Sequence, residues 1–395
     1  MRFRLFMLLL STSFITVISC SKKDTAPVSP PPPPNNTQVD IAKINGQIEA
    51  FMNSYSIPGA SLAVSKNGKL VYIKGFGVAD KGTNEKVTPA HRFRLASVSK
   101  TYTGVAIMKL VQENKISLDG KVFGPGAILG TDYGTAPYNA NLTALTVRQL
   151  LQHISGAWGA STGGDVIDSN PTYTNKQLLD WIINTRSMPK VPGTFYDYSN
   201  VNYFILGRII EKISGKSYLN YIKEDLMASI GATSTDIAGK TEAERKTNEV
   251  KYYGQGTDAA YAYTIAFPRR DADGGLITNA TDLLKLVTAT DGFTTRPDIL
   301  NPAVITQYTT PSAVFPGYAC GIGIWSAEKV WFDYGSLPGT RTGFMRHDNG
   351  MCAALLLNSR VEPSNSELTF IYAMQDLLLD LVKNTSNTWQ SIDQF

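Results

Sequence analysis

The chain has 395 residues, 43% apolar, 18% charged and 10% aromatic, an ordinary globular composition that excludes disordered, collagenous and coiled-coil classes. Lys and Arg exceed Asp and Glu by a formal +4, too little for a nucleic-acid footprint, and three Cys are too few for a disulfide scaffold. The three His (His91, His153, His347) are far apart, with no H-x-x-x-H and no C-x-x-C, so neither a metal site nor another cofactor is expected.

Arg2 and Arg4 precede a largely apolar run from Leu5 to Ile18, too short for a comfortable membrane span. It closes on Val17-Ile18-Ser19-Cys20, the pattern of a bacterial lipoprotein signal. Residues 1–19 are therefore expected to be cleaved and Cys20 lipidated, anchoring the protein in the cell envelope; a plain secretory signal is the alternative. Residues 20–37, rich in proline (Pro27, Pro30 and Pro31 to Pro34), read as a stiff polyproline spacer. The functional domain is then 38–395. Ile41, Ile44, Ile48 and Phe51 mark an amphipathic helix. Ala60–Ser65 and Lys69–Gly75 form a hairpin through Asn67-Gly68. Helical periodicity dominates from Leu95 to Lys285. Gly321–Trp325, Lys329–Tyr334, Gly343–Arg346 and Met351–Leu357 read as antiparallel strands. Leu368, Ile371, Met374, Leu377 and Leu378 read as one face of a closing helix.

The sharpest chemical signal is Ser97-Val98-Ser99-Lys100, just before an apolar segment from Thr101 to Val111 that predicts a buried helix. Spacing of three puts Lys100 beside Ser97, and a desolvated lysine is a base for a serine nucleophile. A turn-rich stretch, Pro192 to Asn200, supplies Tyr198, whose phenolate becomes accessible close to a lysine ammonium, and Asn200, placed to cap the helix running through Ile213. The alternative is that Tyr198 only packs and Asn200 only caps. Gly159-Ala160-Ser161-Thr162-Gly163 fits G-x-S-x-G but follows a helix-like run (Leu145 to Ile154) and lacks the strand a nucleophile elbow needs. Gly215-Lys216-Ser217 and Gly239-Lys240-Thr241 lack the earlier P-loop glycine, with Ile210 and Ser234 in its place.

These residues resemble the serine β-lactamase and penicillin-binding-protein-like family, in its class C and esterase-like branch. Ser97-x-x-Lys100 is similar to the first motif and Tyr198-x-Asn200 to the second. Leu150 to Gly156, Asp273-Gly274-Gly275-Leu276, Gly335 to Gly339, Ile57-Pro58-Gly59 and Gly75 to Asp80 follow in family order. The resemblance implies a mixed α/β (α+β) fold: an antiparallel sheet from about 38–95 and 272–395, flanked by helices, beside an all-helical lobe at about 96–271. It implies Ser97 as acylated nucleophile, Lys100 and Tyr198 exchanging its proton, and Asn200 orienting the substrate amide. Backbone N–H groups of Ser97 and of Ser336, next to Gly335, would form the oxyanion hole. The third motif departs from K-T-G or H-x-G, since Asp333-Tyr334-Gly335 replaces a cation with an acid. Asp333 either faces the cleft, where it disfavours carboxylate substrates unless Arg341 or Arg346 neutralises it, or points away and pairs with an arginine. His153 reads as a capping or packing residue. Cys320 and Cys352, on strands of one sheet, read as buried thiols, with a disulfide as the alternative.

The expected function is a lipid-anchored serine hydrolase acting through an acyl-enzyme on a small-molecule or peptide ester or amide. Its alternatives are a β-lactamase or D-Ala-D-Ala carboxypeptidase, and a non-catalytic binder of cell-wall peptide.

Overall fold

Asn67 and Gly68 both adopt positive φ (51° and 74°), and that turn folds β1 (Gly59–Lys66) back on β2 (Lys69–Asp80). The computed structural model describes residues 38, 40–256, 261–361, 367–384 and 389–395. The signal sequence, Cys20 and the proline spacer lie outside the described residues. The remaining strands are β3 (Glu85–Lys86), β4 (Phe93–Arg94), β5 (Asp236–Ile237), β6 (Leu276–Thr278), β7 (Gly323–Trp325), β8 (Val330–Leu337), β9 (Thr340–His347) and β10 (Met351–Leu357).

Seven of them form one antiparallel sheet in the order β3-β2-β1-β10-β9-β8-β7. Strands from the two ends of the domain meet at its centre, where β1 pairs with β10 from Ala60↔Leu357 to Lys66↔Met351. Both central strands are buried almost throughout, while the edges are two and three residues long and leave little backbone unpaired.

Two helices cover one face. Ala42–Ser54 buries Ile44, Ile48, Phe51 and Met52, as its periodicity predicts, and Phe51 stacks on Phe370 at 5.7 Å. The closing helix Glu367–Lys383 buries Phe370, Met374, Leu378, Leu381 and Val382. Its inward face is rotated from the predicted one: Leu368 is 59% exposed, because Phe370 takes the contact with Phe51.

The other face meets the helix Ala280–Thr288 and the region in which Ser99–Gln112 is central, packed by Asn200–Ser214 and Pro302–Thr309. This region is not wholly helical. Asp236–Ile237 leaves it to join β4 and β6 in a second, three-stranded antiparallel sheet. The helix-like run before His153 is also short, Val147–Leu151, started by a Thr146/Gln149 capping box. Cys320 and Cys352 are free and buried. Cys352 lies on β10, but Cys320 precedes β7, and its backbone carbonyl lies where a Cβ on Gly104 would come within 2.1 Å. Gly104 thus lets that loop rest on the helix Ser99–Gln112.

Candidate active site

Ser97 sits in the 3-10 turn Ala96–Val98 that runs straight into the helix Ser99–Gln112. From Phe93 to Met108 it is the one residue that is not buried. The turn is strained, since Ala96 has φ 48°, which costs a residue bearing a Cβ about 1–2 kcal/mol. Tertiary bonds hold it there. Leu95 N–H donates to the Leu276 carbonyl at 2.8 Å, and Thr342 Oγ1 donates to the Leu95 carbonyl at 2.7 Å. Gly335 on β8 makes the fit possible, because a Cβ there would lie 2.0 Å from the Leu95 oxygen.

Lys100 is fully buried, and its Nζ donates to Ser97 Oγ at 3.2 Å and to the Asp273 carbonyl at 2.6 Å. Burial lowers its ammonium from 10.5 to about 8, against the opposing pull of Asp273, Asp333 and Asp165. The Asp273-Gly274-Gly275 turn presents that carbonyl. Gly275 N–H donates to Arg270 O at 2.7 Å, and a Cβ on Gly275 would lie 2.5 Å from Phe267 O. Arg270 clamps the turn through Asp273 Oδ2 at 2.8 Å and reaches Asp168 at 2.9 Å. Burial raises the Asp273 carboxyl to about 6 in spite of Arg270.

The Tyr198 ring lies 4.9 Å from Lys100 Nζ and 4.3 Å from the His153 ring. Although 37% of the residue is exposed, desolvation of its hydroxyl and then the Asp333 carboxyl raise the phenol well above its usual 10.0. The Ser97 hydroxyl opposes that rise without overcoming it. This runs against the expectation of an accessible phenolate: desolvation favours the protonated phenol of Tyr198 and disfavours the charge on Lys100. Asn200 is not the cap either. Ser199 takes the N-cap position, while Asn200 Nδ2 donates to Asp165 and its buried Oδ1 has no partner among the described residues.

His153 packs as expected and also holds the tyrosine loop. Its Nδ1 accepts from Ser199 N–H at 3.1 Å, its carbonyl accepts from Asp197 N–H at 2.9 Å, and burial keeps the imidazole neutral. Ser161 belongs to the same scaffold: its N–H and the Thr162 hydroxyl both donate to Asp197 Oδ2.

Asp333 faces the Ser99–Gln112 helix, not an arginine on the outer face. It is buried, with Thr101 Oγ1 3.0 Å from Oδ2 and Tyr334 N–H donating to Oδ1 at 2.8 Å. Neither suggested arginine neutralises it. Arg346 donates to the Asp291 carbonyl and is sandwiched by Phe293 and Trp331, both at 3.9 Å, while Arg341 lies over Tyr334 on the opposite face. Arg360, which the motifs did not flag, donates instead to Ser336 Oγ at 3.0 Å. Among the described residues no cluster of three or more His, Cys, Asp or Glu is placed to hold a metal ion.

The antiparallel sheet and the helical region beside it hold the serine–lysine turn between them. Residues 44–375 match the family model described as beta-lactamase, and the chain belongs to that family. It is 32% identical over 225 residues to protein flp of Staphylococcus aureus strain N315, covering 56% of this chain but only 43% of that one. The putative penicillin-binding protein PbpX of Bacillus subtilis strain 168 is 25% identical over 320 residues, 80% of this chain and 73% of its own. Among solved structures, an octameric penicillin-binding protein homologue from Pyrococcus abyssi matches 87% of this chain and 79% of its own at TM-score 0.67 and 25% identity. A D-amino acid amidase from Ochrobactrum anthropi SV3 matches 87% and 99% at TM-score 0.70 and 22% identity, a likeness of fold. Among the described residues no helix is long and apolar enough to cross a membrane.

Proposed function

We propose that the protein is a lipid-anchored serine hydrolase that cleaves esters or amides through an acyl-enzyme on Ser97. The carrying observation is that the one accessible side chain of its stretch lies 3.2 Å from a buried lysine with a disfavoured charge. Lys100 takes the Ser97 proton as Oγ bonds to the substrate carbonyl carbon. The resulting oxyanion sits between the N–H groups of Ser97 and Ser336, the first aided by the helix N-terminus behind it. Tyr198, protonated and beside Lys100, passes a proton to the leaving alcohol or amine, and Asn200 Oδ1 accepts from the substrate amide. Water then releases the acid by the reverse steps.

The acyl group is read as neutral or amine-bearing, because Asp333 stands where the penicillin-processing relatives carry a cation. The D-amino acid amidase neighbour supports amide chemistry. A second reading, cleavage of a β-lactam or a D-Ala-D-Ala stem, draws on Arg360, a cation that donates to the side chain of Ser336, whose N–H is read as part of the oxyanion hole. Cys20 would tether the enzyme to the envelope, with residues 21–37 as spacer.

Labelling with a fluorophosphonate and with a fluorescent penicillin tests these readings. Reaction with the first alone is expected. Reaction with both means penicillin recognition, and reaction with neither means a binder without turnover.

A further inference from the structure

We infer that Asp333 is a carboxylic acid in the working enzyme, its proton on Oδ2 and donated to Thr101 Oγ1. Its role toward Lys100 rests on the reading of Lys100 as the base.

The protons available at Thr101 fix the form of the carboxyl. Thr101 Oγ1 lies 3.0 Å from the Gly321 carbonyl oxygen and 3.0 Å from Asp333 Oδ2, and all three residues are buried. A hydroxyl has one proton and two lone pairs, so it serves one neighbour by donating and the other only by accepting. The Gly321 carbonyl has no proton to give. The carboxyl, as an acid, does: it donates to Thr101, Thr101 donates to Gly321, and Asp333 Oδ1 accepts from Tyr334 N–H. Each of these buried polar atoms then has a partner. An ionised carboxylate leaves one proton for two buried acceptors.

The surroundings agree. The groups acting on or feeling Asp333 are Lys100 from the Ser99–Gln112 helix, Tyr196 and Tyr198 from the loop before Asn200, Tyr203, Tyr308, Tyr318, Tyr334 and Arg341. Two of these are cations. Arg341 lies on the far face of the sheet, and Lys100 donates to Ser97 and Asp273 instead. Burial, opposed by Lys100, raises the carboxyl well above the usual carboxylate range.

The consequence falls on Lys100. An ionised Asp333 would join Asp273 and Asp165 in holding the lysine as an ammonium, whereas the neutral acid leaves it free to act as base. Asp333 is thus a positioning residue that sets the charge state of Lys100. It offers the substrate no charge, so discrimination against carboxylates here is loss of an attracting cation, not repulsion.

Infrared difference spectra of the whole protein, wild type against Asp333→Asn at about pH 8, where Lys100 begins to act as base, are expected to show a protonated-carboxyl C=O stretch present only in wild type. Asparagine copies the acid, with its NH₂ toward Thr101 and its oxygen toward Tyr334 N–H. Thr101→Val keeps the carboxyl but removes its partner and is expected to shift the same band, which covers an asparagine variant that fails to fold. On a fluorogenic ester, the acidic limb of kcat/KM stays in place in Asp333→Asn. A fall of that limb by about one pH unit or more, the lower end of what removing a neighbouring anion does, overturns the inference. So does a wild type without the band, or a band unmoved in both variants. Absence of ester turnover in the wild type would refute the hydrolase reading and leave the infrared result to decide protonation.

Discussion

The two faces of the seven-stranded sheet follow different rules. Toward the helices Ala42–Ser54 and Glu367–Lys383 the strands present Leu62, Val64, Met345, Leu355 and Leu357, all in one buried apolar cluster. On the opposite side the same sheet presents Ser61, Ser65, Thr342, Cys352 and Ala354 and, on β8, Gly335 and Asp333. Large side chains fill the first face, and small or polar ones leave room on the second for the serine turn and its helix. Burying a Leu or Val contributes about 1.5–3 kcal/mol, and the second face forgoes much of that to carry polar groups. The first face holds only the fold; the second, where Phe344 and Leu356 are buried in another apolar core, holds fold and chemistry together.

Substitutions that separate the two faces test this division. The largest effect is expected for Ser97→Ala, which should abolish fluorophosphonate labelling and cut kcat by at least about 10³-fold. Its melting temperature should stay at the wild-type value, and Ser161→Ala should label fully. Lys100→Ala and Tyr198→Phe should each lower kcat by roughly 10²–10⁴, with the lysine the larger because the phenol rests protonated. Tyr198→Phe retaining more than about half of kcat/KM would make the tyrosine structural.

A smaller effect is expected from pH alone. Only neutral Lys100 accepts the serine proton, so below about 8 kcat/KM should fall roughly tenfold per unit. A flat profile between pH 6 and 8 would remove Lys100 as the base. Stability follows the same titration: the folded pKa lies below the unfolded one, so the unfolded chain binds more protons between about 8 and 10.5, and stability should rise with pH there. Last, Leu355→Ala on the apolar face should cost about 2–5 kcal/mol in denaturant titrations while the folded fraction keeps wild-type kcat.

The same division governs what was legible in the sequence. Ile44, Ile48 and Phe51, the Asn67-Gly68 turn and the C-terminal strands follow from periodicity and turn chemistry, which are local. The Ser97–Lys100 pairing is also local, one helical turn. Tyr198 stands out by its motif, but the state of its phenol depends first on burial of the hydroxyl, a tertiary property that no local pattern shows. Asn200 carries a common capping residue type, yet the helix begins one residue earlier because Ser199 is anchored to His153 and to the Trp158 carbonyl. Arg360 gives no local signal, since its partner Ser336 is distant in sequence; Arg270 lies only three residues from Asp273, and what no local pattern shows is its second partner, Asp168. The two-residue strand Asp236–Ile237 was illegible for the same reason, being defined by its partner Leu276–Thr278.

The pairing of β1 with β10 has a consequence for synthesis. Ala60 meets Leu357, and Gly335, which seats the serine turn, is synthesised long after that turn. Contacts this distant in sequence form slowly. Until they form, β1 is an open strand edge that invites pairing with other chains. It also means that a growing chain has no seat for the strained Ala96 turn, so the serine–lysine pair is assembled only when the last hairpin closes. The serine–lysine pair thus depends on strands that are made well after it.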